Sequence, residues 1–92
     1  MTLPVWTIEI GKLAETQLNE LDRTMRLRLI NYMMERISPH PNPLAISKSM
    51  KSKFHGARRF RVGDYRILAE IDDESKIITI YQIGHRSTVY DE

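Results

Sequence analysis

Arg58-Arg59-Phe60-Arg61-Val62-Gly63-Asp64-Tyr65-Arg66-Ile67-Leu68-Ala69-Glu70-Ile71 is the stretch whose reading decides the fold of this chain. Two alternating runs flank Gly63-Asp64, a glycine-first pair suited to the two-residue type II′ turn of a tight hairpin. Counting outward from that turn sets the register: Val62 faces Tyr65, Arg61 faces Arg66, Phe60 faces Ile67, and Arg59 faces Leu68. Side chains alternate across a strand, so Phe60, Val62, Ile67, Ala69 and Ile71 cover a core while Arg59, Arg61 and Arg66 share the opposite face.

Downstream of the hairpin, Asp72-Asp73-Glu74-Ser75 reads as a turn, and Ile77 to Ile83 is apolar at nearly every position, as in a strand covered on both sides. Gly84 closes that strand, and His85 to Tyr90 forms a tail. Upstream, Val5 to Ile10 alternates like a half-buried strand and ends at Gly11. Leu13, Ala14, Leu18 and Leu21 then recur at helical spacing. After Asp22, an N-cap residue type, Met25, Leu29, Ile30, Met33 and Ile37 do the same. Arg26, Arg28, Asn31, Glu35 and Arg36 fall on the outer side of this second helix and read as a solvated face. Ser38-Pro39-His40-Pro41-Asn42-Pro43 cannot continue a helix, because its prolines remove donors and restrict their predecessors. The order β-α-α-β-β-β predicts an α+β domain in which two N-terminal helices pack on one face of a mostly antiparallel four-stranded sheet. The other face is left open, and the arginines are on it.

The chain has 92 residues, enough for one core and too few for two, so residues 1–92 are expected to form a single domain. It has no cysteine, which excludes disulfides and thiolate metal sites and fits a reducing cytoplasm. The N-terminus lacks a secretory pattern, and no apolar run approaches the roughly 18 residues that span a bilayer. The net charge of +2 is unevenly divided. From Ser47 to Arg66, Lys48, Lys51, Lys53, Arg58, Arg59, Arg61 and Arg66 stand against Asp64 alone, giving +6, while the rest of the chain carries −4. A cationic block on an acidic body concentrates phosphate at one place and marks a polyanion-binding surface.

Arg61 opposite Arg66 places two cations about 5 Å apart, an arrangement that costs stability unless something anionic lies between them. Asp64, Glu70 or an acidic partner could neutralise the pair. So could a phosphate, whose oxygens match guanidinium groups in planar, bidentate geometry; Arg59 on the same face and the upstream lysines favour the phosphate. His40, His55 and His85 match no zinc pattern, and no metal or other cofactor is expected. Tyr65 and Trp6 read as core, which leaves Phe54, between Lys53 and His55, as the aromatic placed to contact a base.

The run Arg59-Phe60-Arg61-Val62-Gly63-Asp64-Tyr65-Arg66, followed by Gly84-His85-Arg86 and Val89-Tyr90, resembles the RelE branch of the RelE/ParE toxin superfamily. The likeness extends over essentially the whole chain and its element order. It implies a toxin of a type II toxin-antitoxin pair that cuts mRNA on the ribosome and so inhibits translation. Carried over by position, Arg66 and Arg86 match the family's two functional arginines, Tyr90 its C-terminal catalytic tyrosine, and Arg59 a backbone-binding basic residue. Where the family's type member has a lysine two positions before the Arg59 equivalent, this chain has Ala57, so Lys51 or Lys53 would reach in from the preceding loop, with Arg61 completing the RNA-binding set.

The implied reaction is attack of a ribose 2′-hydroxyl on the adjoining phosphate, giving a cyclic phosphate and a free 5′-hydroxyl without a metal. It needs a base, for which Tyr90 is the candidate, cations to stabilise the phosphorane, and an acid for the leaving oxygen. An ordinary phenol has a pKa of about 10, so neighbouring arginines must favour the phenolate. His85 or Arg86 would assist the leaving group, and the resemblance favours the arginine. It further implies a RelB-like antitoxin whose acidic segment wraps the toxin in a hetero-oligomer, with ribosome and mRNA as the targets and no membrane partner. Two other readings stay open: a ParE-like inhibitor that binds DNA gyrase and catalyses nothing, and a plain nucleic-acid-binding module.

Overall fold

A computed structural model of the chain describes residues 5–50 and 56–89. Strand β1 (Thr7–Ile10) leads into helices α1 (Lys12–Glu20) and α2 (Arg23–Tyr32). A π-helical turn, the proline loop and a 3-10 turn then separate the helices from a meander: β2 (Lys48–Ser49), β3 (Ala57–Val62), β4 (Tyr65–Asp72) and β5 (Ile77–His85). The sheet order is β1-β5-β4-β3-β2. All neighbours are antiparallel except β1 and β5, which run parallel with Thr7 opposite Ile77 and Ile10 opposite Ile80. The α+β architecture expected from the sequence is therefore present, as a mixed sheet with five strands rather than four. The additional strand, β2, is two residues long, too short to carry any periodicity of its own.

Asp22 caps α2, its carboxylate accepting the Met25 N–H at 2.8 Å. The helical path runs on past Tyr32 as a π-helical turn over Met33–Ile37, which keeps Met33 and Ile37 buried. It then closes onto the start of β1. Ser38 accepts the Val5 and Trp6 N–H groups at 2.9 Å each and donates its hydroxyl to the Trp6 carbonyl at 2.6 Å. Beyond the proline loop, the short 3-10 turn Pro43–Ile46 is held by Arg58, whose guanidinium donates to the Ser47 hydroxyl and to the Leu44 and Ser47 carbonyls at 2.9–3.0 Å. Arg58 thus has a structural task and is not a free member of the cationic block.

The register of the β3–β4 hairpin is the one counted from the sequence, with Arg61 opposite Arg66 and Arg59 opposite Leu68. Gly63 has φ +61, and Asp64 is not among the positive-φ residues, the order that a II′ turn requires. Leu29, Met33, Ile37, Phe60, Ile67, Ala69, Ile78 and Ile80 are fully or almost fully buried between helices and sheet.

The opposite face is not simply open. Met50, Ala57, Leu68 and Val89 form a second buried apolar cluster there, with Tyr81 packed against it. Tyr81 alternates with Ile80 onto that face, and a register shift in the β4–β5 ladder at Leu68/Ala69 then returns Ile83 to the core. The tail folds back on the sheet through Thr88 and Val89 N–H bonds to the His85 carbonyl. A Cβ at Gly84 would collide with Val89 Cγ2, so only glycine allows this closure. Among the described residues no helix is long and apolar enough to cross a membrane.

Candidate functional site

β3 supplies Arg59 and Arg61 and β4 supplies Arg66, all on the face opposite the helices. Arg59 and Arg66 are each only 5% exposed, whereas Arg61 stands in solvent. Arg66 is steadied by the turn it follows, with Nη1 donating to the Gly63 carbonyl at 3.2 Å and to the Tyr65 carbonyl at 3.1 Å. Arg86 reaches the same corner from the turn just beyond β5. Its backbone N–H donates to the Asp64 carbonyl at 2.7 Å and its Nε lies 3.7 Å from Asp64 Oδ1. The hairpin turn therefore fixes the tail: Asp64 holds Arg86 beside the strand from which Arg66 projects.

The electrostatics of this corner are lopsided. Burial pulls the Arg66 pKa below the usual guanidinium value, the charges of Arg61, Arg59 and Arg86 lower it further, and only Asp64 opposes them. Arg59 is lowered in the same way, by burial and then by Arg61. Arginine stays protonated throughout the accessible pH range, so these shifts express unfavourable energy in the cationic state, not loss of charge. An anion placed among the four groups relieves that energy. Lys48 adds to the patch: it pairs with Arg59 across β2 and β3 and, with Arg59, Arg61 and Ser47, lines a depression of about 270 Å³.

The remaining sequence candidates divide. His85 is the cross-strand partner of Tyr65, and their rings meet edge to face at 5.5 Å. Tyr65 packs against the main core, so His85 points to the helix side of the sheet, away from Arg66. Its Nδ1 is occupied by the Ser87 N–H and hydroxyl at 3.1 and 2.8 Å. Tyr81 is the described tyrosine on the arginine face, but burial, and then the Glu70 charge, push its phenol pKa up, the wrong direction for a base. Lys51, Lys53, Phe54, His55 and Tyr90 lie outside the described residues. Val89, to which Tyr90 is bonded, is packed in the apolar cluster on the arginine face. Among the described residues no group of three or more His, Cys, Asp or Glu side chains could hold a metal.

The sequence reading left Lys48 without a position and missed Arg28. Lys48 was counted in the cationic block but gains its place only from β2. Arg28, assigned to a solvated helix face, instead lays its guanidinium over the hairpin turn, where a Cβ built on Gly63 would sit 3.0 Å from Nη2. Helical periodicity distinguishes core from surface and carries no information about which surface residue meets a distant turn.

Comparison with known proteins gives this arrangement a context. Residues 8–90 match the family described as ParE toxin of type II toxin-antitoxin system, parDE. The chain belongs to the RelE/ParE toxin family. The toxin is 26% identical over 85 residues to toxin RelG of Mycobacterium tuberculosis, covering 92% of this chain and 95% of that protein. Its fold is similar to a chain of the toxin-antitoxin complex RelBE2 of the same organism, with a TM-score of 0.82 at 26% identity over 91% of this chain and all of that one. The isolated E. coli RelE toxin shares the fold at a TM-score of 0.69 and 17% identity, over 95% of this chain and 88% of that one. Several of these relatives were solved with RelB antitoxins bound, the intact E. coli RelBE complex among them.

Proposed function

We propose that this toxin is a metal-independent endoribonuclease that cleaves mRNA on the ribosome. The observation that carries the reading is the convergence of Arg59, Arg61 and Arg66 on one sheet face, with Arg86 tied to the same corner through Asp64. Four guanidiniums around one point match the charge that develops on a phosphorane, and the two buried ones are held in place before any ligand arrives.

In this mechanism the Tyr90 phenolate removes the proton of the 2′-hydroxyl, and the 2′-oxygen bonds to phosphorus. Arg66 and Arg61 hold the non-bridging oxygens as negative charge builds on them. The bond from phosphorus to the 5′-oxygen then breaks, and Arg86, exposed at this corner, hydrogen-bonds the departing oxygen while that oxygen takes its proton from water and Tyr90 returns its own to solvent. The products are a 2′,3′-cyclic phosphate and a 5′-hydroxyl. Arg59, Lys48, Lys51 and Lys53 bind the backbone on either side. The orientation of His85 favours Arg86 over it as the group at the leaving oxygen. A RelB-like antitoxin would silence the toxin by laying an acidic segment over the same face.

The family description names ParE, which keeps a non-catalytic gyrase inhibitor as the second reading. Primer extension on mRNA from growth-arrested cells separates the two. New breaks inside translated codons, absent with Arg86→Ala and Tyr90→Phe, support the nuclease; intact messages with broken DNA support gyrase poisoning and end the nuclease reading.

A further inference from the structure

The cationic surface does not stop at the arginine face. Arg61 belongs to two depressions. One is shared with Arg59 and Lys48. The other, of about 400 Å³, lies between α2 and the hairpin tip and is lined by Arg28, Arg36, Asn31, Tyr32, Glu35 and Arg61 together with Val62 and Gly63. Arg28, Arg36 and Arg61 are all exposed, and among the described residues none of them has a hydrogen bond or an ion pair. Glu35 is the single acid on the cleft wall and pairs with none of them. Three guanidiniums against one carboxylate, around a concavity walled by an amide and a phenol, form a receptor for an anion that carries its own hydrogen-bond acceptors.

We infer that this cleft binds a backbone phosphate of the same RNA strand, one that leaves the cleavage site around the hairpin tip. The inference rests on the nuclease reading for the identity of the strand, and on Arg61 for its path. Because that one side chain borders both depressions, a polyanion held by Arg59 and Arg66 passes from one to the other without crossing neutral surface. Gly63 permits the close approach, since a Cβ there would lie 3.0 Å from Arg28 Nη2 and shift that guanidinium. An acidic protein segment would meet the same charges, and loss of acidic-peptide binding with RNA binding intact would mark it as the occupant instead.

The test uses the full-length protein and 2′-O-methyl RNA, which cannot be cut, as a trinucleotide and a nonanucleotide. Binding is followed by fluorescence anisotropy across a salt series. Arg28→Gln with Arg36→Gln keeps the aliphatic stems and helix propensity, and thermal denaturation checks the fold; Arg36→Gln alone serves should the pair destabilise the hairpin. The expected result is nonanucleotide binding weakened about tenfold. Its log–log salt slope should fall in magnitude by about 0.7, the value for one single-strand phosphate contact. Trinucleotide binding should be unchanged. A nonanucleotide affinity and slope equal to the parent protein's overturn the proposal, as does a variant that keeps RNA but loses an acidic peptide. Arg66→Gln is the control: if it weakens both lengths while the cleft variants weaken neither, the cleft fails alone, and if it weakens neither, the underlying nuclease reading fails and takes the cleft with it.

Discussion

Arg61 and Arg66 are directly opposed cross-strand partners on the face away from the helices, and the acid nearest to them, Asp64, is engaged by Arg86. Like charges in this position destabilise a strand pair by roughly 0.2–1 kcal/mol. A phosphate lying between the two guanidiniums would relieve that repulsion.

Arg61→Ala should therefore raise stability by a few tenths of a kcal/mol, about the size of one relieved cross-strand repulsion. The same change should weaken RNA binding. Thermal denaturation with and without added phosphate checks both halves: the parent protein gains more from phosphate than the variant does.

Arg58 and Arg86 should behave as opposites although both lie near the patch. Arg58 makes three hydrogen bonds to the 44–47 turn, so Arg58→Ala should lower stability by about 1.5–3 kcal/mol. Arg86 is exposed, and its pair with Asp64 is worth little to the fold. Arg86→Ala should leave the melting temperature nearly unchanged and abolish growth arrest.

Gly84→Ala would force the tail off the sheet through its collision with Val89. Overpacking of this kind costs about 1–3 kcal/mol. Toxicity should fall further than stability does, since the displaced segment leads to Tyr90. Comparing growth arrest in Gly84→Ala with that in an equally destabilised variant of the main core, such as Ile78→Val, separates displacement from unfolding.

Asp72 ties down the turn between β4 and β5, accepting the Glu74 and Ser75 N–H groups at 3.1 and 3.4 Å. Hydrogen bonds from Ser75 hold its pKa below the usual carboxylate value. A carboxylate with a depressed folded-state pKa stabilises above its unfolded pKa and loses that contribution as the pH falls through the folded value. Asp72→Ala should accordingly lower the melting temperature at neutral pH and make no difference in strong acid, as denaturation curves across the acid range would show.

The hairpin was the most legible part of the chain, because a two-residue turn fixes register and register fixes faces. The pairing of Arg61 with Arg66 followed from counting residues. What the sequence concealed depends on contacts between distant segments. The second apolar cluster draws Met50 and Val89 from opposite ends of the meander, and the register shift that returns Ile83 to the core after Tyr81 carries no local signal. The parallel pairing of β1 with β5 depends on where the helices deliver the chain and leaves no local trace. His85 and Arg86 were both candidates for the leaving group, with the resemblance favouring the arginine, and their surroundings differ: the His85 ring faces Tyr65, and Arg86 meets Asp64.

The most direct measurement is end-group analysis of mRNA cut by the purified toxin on programmed ribosomes, with a single 2′-deoxy substitution at the cleaved nucleotide. A 2′,3′-cyclic phosphate, a 5′-hydroxyl, and complete protection by the substitution are the results that four arginines around an attacking 2′-oxygen predict. Cleavage that survives the 2′-deoxy substitution, or no cleavage at all by a toxin that still arrests growth, would contradict the account.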